Sequence, residues 1–264
     1  MTYKHLTLET GPHGVQWILI NRPKALNALN SEVIVELATA LKKIKEEASV
    51  RVVVLSGEGE KAFIAGADIT EMNEKSVSEG VVFGQQGHEV AKLLETMPQP
   101  TIAAVNGFAL GGGTEMAIAC DLIIASENAV FGQPEVCLGI IPGFGGTFRL
   151  SKRVGIAKAK ELIFTGRKIK ADEAFQIGLA NQVVPLNQLK DKVNEVATSI
   201  SKNSQSAVRK AKRLINDFSE STGLDGKIDA EIQEFAELFE SKDQKEGMSA
   251  FIEKRPAKFE GVEL

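Results

Sequence analysis

The pattern that most constrains the fold is an alternation of short apolar runs and helical periodicities along one continuous chain. The runs RVVVLSG, TIAAVNG, DLIIAS and NQVVP have the length and composition of buried strands. Between them, apolar residues recur three and four positions apart, as on one face of a helix. Strands alternating with helices are typical of the α/β class, so the sequence predicts an α/β fold.

The same pattern predicts individual elements. YKHLTLE and VQWILIN flank the turn GPHG, which indicates an N-terminal hairpin. Asn30 or Ser31 is expected to open a helix that continues to Ala48, and further helices are expected near 81–96, 113–119, 155–164 and 171–178. From about residue 187 the pattern is helical only, without a low-complexity linker. We therefore expect a core over 1–190 that carries the active site, and a helical region over 191–264 that is not an independent domain.

Composition supports a soluble globular protein. The chain has 264 residues, of which 43% are hydrophobic and 25% charged, enough for one large domain with a sizeable core. The formal net charge of −4 provides no overall basic field for nucleic acid or an anionic membrane surface. The local cluster Arg209, Lys210, Lys212 and Arg213 is interpreted as a solvated helix face.

The cysteines and the N-terminal sequence indicate in which cellular compartment the protein is expected. Cys120 and Cys137 form neither a CxxC pair nor a disulfide framework, which favours a reducing compartment. The start MTYKHLTLET lacks an apolar signal core, and the longest apolar runs are far short of a membrane span. A cytoplasmic location is expected, and earlier removal of an organelle presequence is left open.

Several common chemistries lack their motifs in this chain. No glycine is followed by the lysine and hydroxyl residue of a P-loop, and GEGEKA at 57–62 has two glutamates where a dinucleotide pyrophosphate would bind. The three histidines, His5, His13 and His88, have no metal-ligand spacing, and there is no G-x-S-x-G motif. We expect no metal site, and acid–base chemistry would fall to carboxylates.

The stretch NGFALGGGTEMAIACD, residues 106–121, contains three consecutive glycines followed closely by the carboxylate of Glu115. Glycine lets a ligand approach the backbone amides closely, and Gly111–Gly113 precede an apolar helical segment. Amides at a helix N-terminus favour negative charge, so this stretch could form an oxyanion hole beside Glu115. A tight strand-to-helix turn with an acid in the first helical turn is an equally open interpretation.

Two further stretches add polar groups in apolar surroundings. Glu135 lies among Val136, Cys137, Leu138, Ile140 and Ile141, and such an environment would raise its pKa to the range of a general acid. An exposed loop glutamate is the alternative. In KAFIAGADITEM, residues 61–72, the small residues Ala65 to Ala67 precede Asp68 and could expose a second backbone amide.

Taken together, these segments resemble the crotonase superfamily, most closely the enoyl-CoA hydratases. The resemblance covers nearly the whole chain and is carried by NRPKALNAL, FIAGADI, AAVNGFALGGGTE, FGQPEVCLGIIPGFGGTFRL and EGMSAFIEKR. It implies a spiral of repeated β-β-α units with a C-terminal helical region that forms trimers, paired into hexamers. It also implies reversible hydration of trans-2-enoyl-CoA to 3-hydroxyacyl-CoA, as in fatty acid β-oxidation.

The resemblance assigns roles to individual residues. The amides of Ala67 and Gly112 would hold the thioester oxygen, while Glu115 activates a water and Glu135 protonates C2 of the substrate. No cofactor is expected beyond the coenzyme A of the substrate itself. Residues expected along the substrate and CoA path are Lys24, Ala25, Leu26, Ala65, Asp68, Ile69 and Thr70, with Phe251 and Lys254 reaching the nucleotide end from a neighbouring subunit.

Four positions depart from the common family pattern. Thr70 stands where lysine is frequent, Thr114 where cysteine is frequent, and Phe144 and Phe148 replace the alanine and glutamine of PGAGGTQRL. These changes leave both acids in place and bear on CoA affinity and acyl-chain preference. The alternatives are an enoyl-CoA isomerase or another crotonase-type reaction, and a non-catalytic scaffold that binds a CoA thioester or RNA.

Overall fold

The computed structural model describes residues 2–217 and 223–259. The strands in this part of the chain are β1 Leu6–Thr10, β2 Val15–Ile20, β3 Val52–Gly57, β4 Ala62–Ile64, β5 Thr101–Val105, β6 Phe108–Leu110, β7 Leu122–Ser126, β8 Val130–Gly132, β9 Lys168–Lys170 and β10 Gln182–Val184. The α-helices are α1 Ser31–Lys45, α2 Ile69–Met72, α3 Val77–Thr96, α4 Gly112–Ala119, α5 Gly146–Val154, α6 Ile156–Thr165, α7 Ala171–Gln176, α8 Leu189–Ser201, α9 Gln205–Asp217, α10 Leu224–Glu237 and α11 Lys242–Ile252.

The strands form two sheets. The larger has the order β1-β2-β3-β5-β7-β10, and the smaller has the order β4-β6-β8-β9. Pairing is parallel except for β1 with β2 and β8 with β9. The pairs β3–β4, β5–β6 and β7–β8 each give one strand to either sheet before the chain turns into helix, so the β-β-α unit repeats. The predicted α/β spiral is confirmed.

The central strands of the large sheet, β2, β3 and β5, are buried on both faces. Alternate residues of its strands face α1, α3 and α4 on one side, and the opposite set packs on α8 through Leu189, Val193 and Ala197. Continuous apolar runs such as VVVLS reflect this two-sided burial. The first residues of the C-terminal helical region thus pack on the sheet, and the division at about residue 190 remains a prediction.

Capping residues set the first residues of helices α1 and α3. The Asn30 side chain accepts a hydrogen bond of 2.9 Å from the Val33 amide, so α1 begins at Ser31 as predicted. It ends at Lys45, and Ala48 lies beyond it and is exposed, contrary to the prediction. Helix α3 begins at Val77, earlier than predicted, because Ser76 and Glu79 form a capping box.

The basic cluster on α9 is only partly a solvated face, because one of its lysines is buried. Lys212 is buried and pairs with Asp121 at 2.8 Å, while Lys210 and Arg213 both pair with Glu234 of α10. The interpretation from sequence was therefore wrong for Lys212, because periodicity alone does not show that a lysine faces a buried acid. Within 2–217 and 223–259, no helix has the length and apolar character required to cross a bilayer.

Candidate active site

The small sheet positions the candidate site. Strands β4, β6 and β8 are parallel neighbours, so their carboxyl ends meet at one edge. The chain leaves β4 through Ala65–Ala67, leaves β6 through Gly111–Gly113, and leaves β8 through Gln133–Glu135. Three segments that are far apart in sequence are brought together by the repeat.

The glycine triad forms the start of α4. Gly111 adopts φ 50° and ψ −121°, and a Cβ at Gly113 would lie 1.9 Å from the Ile64 carbonyl oxygen, so neither position accepts a side chain without strain. The Gly111 amide donates to the Gly132 carbonyl at 2.8 Å. The next amide, of Gly112, has no backbone acceptor among the described residues and belongs to the first turn of the helix.

A second amide, that of Ala67, is oriented by a single parallel bridge between two loops. Ala67 pairs in parallel with Leu29, whose amide donates to the Gly66 carbonyl at 2.9 Å and whose carbonyl accepts from the Asp68 amide at 2.8 Å. In this parallel pattern the Gly66 carbonyl and the Asp68 amide point towards Leu29, so the Ala67 amide between them points away from Leu29. Arg22 forms a salt bridge of 3.1 Å with Asp68, which links the loop after β2 to the segment that contains Ala67.

Glu115 is buried in the first turn of α4, with 1% of its surface exposed. Its Oε1 atom accepts hydrogen bonds from the amides of Phe144 at 2.8 Å and Gly146 at 2.7 Å. Desolvation raises the pKa of Glu115, and these two bonds oppose the increase because they stabilise the charged form. The carboxyl of Glu115 is therefore desolvated, and its orientation is fixed by the two amides that donate to it.

Glu135 is also buried, at 8% exposure, where the chain leaves β8. Burial, followed by the nearby charge of Glu115, raises the pKa of Glu135 to about 7. With its amide oriented to donate, the Gln133 side chain lies 2.8 Å from Oε1 and 3.0 Å from Oε2 of Glu135. A Cβ at Gly111 would lie 2.9 Å from Oε1, so the carboxyl also borders the glycine turn.

Of the two interpretations left open for Glu135, the structure shows the buried one, but most of the apolar residues named from the sequence do not cover the carboxyl. Cys137, Leu138, Ile140 and Ile141 are exposed, because the short 3-10 turn after Pro134 directs them outwards. The carboxyl is covered instead by groups from the glycine turn and from Gln133. Neighbours in sequence were a poor guide to neighbours in space.

The other expected binding residues divide into two groups. Lys24 and Ala25 lie in a 3-10 turn ahead of Leu26, whose carbonyl accepts from the Ala65 amide at 3.1 Å. These residues therefore adjoin the Ala67 segment, and Ile69 and Thr70 follow it as exposed residues at the start of α2. Phe251 is 85% exposed on α11 and Lys254 follows that helix, so their contact with a neighbouring subunit's CoA stays a prediction.

Two residues near the acids were not predicted as site residues. Gln133 is fully buried and faces Glu135. The backbone amide of Phe144 donates to Glu115, and the residue as a whole is 4% exposed. Both lie in the FGQPEVCLGIIPGFGGTFRL stretch, so the signal was their sequence proximity to Glu135 and the glycine turn. In the described residues, His, Cys, Asp and Glu side chains form no group of three suited to a metal ion.

Comparison with known proteins identifies the family of this chain. A sequence model described as enoyl-CoA hydratase/isomerase matches residues 10–262. The chain belongs to the enoyl-CoA hydratase/isomerase family. It is 52% identical to the short-chain-enoyl-CoA hydratase of Clostridium acetobutylicum over 92% of each chain. It is 46% identical to the crotonyl-CoA hydratase of Syntrophomonas wolfei over 98% of this chain and 99% of that one.

Solved structures of this family share the fold. The crystal structure of an enoyl-CoA hydratase from Bacillus anthracis aligns with a TM-score of 0.95 and 41% identity, covering 98% of this chain and 100% of that one. An enoyl-CoA hydratase from Geobacillus kaustophilus aligns with a TM-score of 0.94 and 32% identity, covering 99% and 98%. The family fold expected from the motifs is therefore confirmed over nearly the whole chain.

Proposed function

We propose that this chain catalyses the reversible addition of water to a trans-2-enoyl-CoA, giving a 3-hydroxyacyl-CoA, with Glu115 and Glu135 as the acid–base pair. The observation that carries the proposal is the placement of two buried carboxyls at the glycine turn that begins α4, Glu115 in the first helical turn and Glu135 against Gly111. Burial raises the pKa of both carboxyls. Water and the α-carbon of a thioester each need a positioned proton partner, and such partners typically contribute about 10² to 10⁴-fold.

The amides of Ala67 and Gly112 would hold the thioester oxygen. Their hydrogen bonds draw electron density from the conjugated C=C bond and stabilise the enolate that forms when C3 is attacked. One such donor typically contributes about 2.7 to 4 kcal/mol to the transition state. Gly112 is suited to this role because it lies at a helix N-terminus, and Ala67 because its amide is directed away from the bridge with Leu29.

The surroundings of the two acids support a different role for each. Two backbone amides stabilise the carboxylate of Glu115, so Glu115 takes a proton from water as the oxygen bonds to C3. Glu135, with a pKa of about 7, retains a proton near neutrality and delivers it to C2. The step leaves Glu115 protonated and Glu135 ionised, and proton exchange restores the starting state. Dehydration follows the same path in reverse.

The remaining expectations follow from this proposal. The chemistry needs no group beyond the CoA of the substrate, because the two amides and two acids supply every step. Lys24, Ala25 and Leu26 adjoin the Ala67 segment and would border the CoA, together with Asp68, Ile69 and Thr70. Cys120 and Cys137 are free thiols, in keeping with a reducing cytoplasmic setting.

Assembly into trimers, and into hexamers of two trimers, is also proposed. The C-terminal helices expose large apolar residues that would be covered at a subunit contact: Ile228, Ile232, Phe235, Phe251 and Ile252. Sedimentation of the purified protein tests this point. A monomer at micromolar concentration would refute the proposed assembly.

The test of the proposed reaction is product analysis. We expect the protein to consume crotonyl-CoA with loss of the enoyl-thioester absorbance and to yield 3-hydroxybutyryl-CoA. Conversion of a 3-enoyl-CoA to the 2-enoyl isomer, with no hydration of crotonyl-CoA, would instead establish an isomerase. Binding of CoA thioesters with neither reaction would indicate a scaffold.

A further inference from the structure

The orientation of Glu115 depends on the glycine-rich turn that leads into α5, residues 143–146. The amides of Phe144 and Gly146 both donate to Oε1 of Glu115, and Gly145 between them adopts φ 106°, a conformation that favours glycine. The two amides point at one oxygen only while the turn keeps this conformation. Any group that fixes the turn therefore also fixes the direction of the acid.

The side chain of Arg149 binds the same turn through its backbone. Arg149 lies near the start of α5, and its side chain is buried. Its Nη1 donates to the Phe144 carbonyl at 3.0 Å, while Nε and Nη2 donate to Oε2 of Glu95 on α3 at 3.1 Å and 2.9 Å. One planar guanidinium thus links the turn to α3 with three hydrogen bonds, which the single ammonium of a lysine could not arrange in the same plane.

Helix α3 contacts the turn at a second point, through a side chain. Gly87 lies mid-helix, where glycine is unfavourable, and a Cβ there would lie 2.1 Å from Cδ1 of the Phe144 ring. This contact fixes the ring of Phe144. The contact with Arg149 fixes the carbonyl of Phe144, so it acts on the backbone that carries the two amides.

The charge of Arg149 acts on Glu115 in the same sense as the two amides. Desolvation raises the pKa of Glu115, and the amides of Gly146 and Phe144, followed by the charge of Arg149, oppose this increase. Arg149 therefore favours the ionised form of Glu115, which is the form that accepts a proton from water.

We propose that Arg149 is a positioning residue for hydration: it holds the turn 143–146 against α3 and thereby fixes the direction of the Glu115 carboxyl. This inference rests on the proposed function, because it takes Glu115 to be the group that removes a proton from water. Without the guanidinium, the Phe144 carbonyl loses its donor, and the two amides no longer converge on one oxygen.

The test compares Arg149→Ala with Arg153→Ala, the matched control on the same helix. Arg153 is half-buried and donates to the carbonyls of Cys120 and Asp121 at the end of α4 rather than to the turn. The readouts are kcat and KM for crotonyl-CoA, and hydrogen exchange of the peptide that contains residues 143–147. We expect Arg149→Ala to lower kcat at least about tenfold with little change in KM, since a small displacement of a catalytic group has an effect of this order. Exchange of the turn amides should become faster in this variant and not in Arg153→Ala.

Two further measurements separate positioning from a general loss of stability. Arg149 and Glu95 line a cavity of about 640 Å³, so free guanidinium can reach the space left by the truncated side chain. Guanidinium chloride at about 20 mM, far below the molar range used for unfolding, should raise kcat of Arg149→Ala severalfold, and sodium chloride at the same concentration should not. In a Glu115→Gln background, Arg149→Ala should have almost no further effect on kcat, because its effect passes through Glu115.

Hydrogen exchange separates this inference from the proposed function. Faster exchange of the turn amides in Arg149→Ala, with a wild-type protein that does not hydrate crotonyl-CoA, would refute the proposed reaction and keep the role of Arg149 in holding the turn. Unchanged kcat and exchange in Arg149→Ala, an equal loss of kcat in Arg153→Ala, or an undiminished loss in the Glu115→Gln background would overturn that role. Arg149→Lys, which keeps the charge but lacks the planar group, replaces Arg149→Ala if that variant does not fold.

Discussion

Replacing Glu135 with glutamine should make the protein more stable above neutral pH while it loses activity. The unfolded chain releases this proton near pH 4.5, whereas the folded protein retains it up to about pH 7. Between these values the folded state binds more protons than the unfolded state, so the free energy of unfolding decreases as pH rises. Over this interval the carboxyl costs about 3 kcal/mol, at about 1.4 kcal/mol for each pH unit.

Glutamine does not titrate, and its side-chain amide can still pair with Gln133. The difference in unfolding free energy, Glu135→Gln minus wild type, should therefore increase by about 3 kcal/mol between pH 4.5 and pH 8 and then remain level. Urea unfolding at fixed protein concentration measures it at each pH. Parallel profiles for the two proteins would refute the argument that Glu135 is held protonated by its surroundings.

Three further predictions follow from the same contacts. Above about pH 7, kcat/KM for hydration should fall about tenfold per pH unit because Glu135 must carry a proton, and a flat profile from pH 6 to 9 would contradict this. Gly111→Ala should lower kcat by up to about 10²-fold, since its Cβ would lie 2.9 Å from Oε1 of Glu135. Gly59→Ala, also at positive φ but with no atom within 4 Å of its Cβ, is the control and should retain activity. In thermal unfolding, Gly87→Ala should destabilise the wild type but stabilise Phe144→Ala by about 1 kcal/mol, and equal effects in both backgrounds would contradict the contact.

The strong periodic elements could be predicted from the sequence. The buried strands of the large sheet and α1 carry long apolar patterns, so their type was clear and only their ends shifted. The small sheet was missed, because β4, β6, β8 and β9 have three residues each and show too little periodicity. That sheet is nevertheless what brings the three candidate site segments to one edge.

The motifs in the sequence identified the two candidate acids, but the sequence did not predict which residues surround them. Sequence order placed Glu135 among apolar residues that the structure exposes, while its actual neighbours come from Gln133 and the turn after β6. Similarly, Lys212 seemed to belong to a charged helix face until the fold placed Asp121 beside it. Contacts between residues that are far apart in sequence depend on the topology of the fold, and the pattern of a single sequence does not show that topology.

The most direct test of the account is the initial rate of crotonyl-CoA hydration by wild type, Glu115→Gln and Glu135→Gln. Glu127→Gln, at an exposed turn, is the matched control for the loss of a carboxyl. We expect both active-site variants to fold and to hydrate crotonyl-CoA at least about 10²-fold more slowly, while Glu127→Gln keeps the wild-type rate. Wild-type turnover in either active-site variant would contradict the role of that residue.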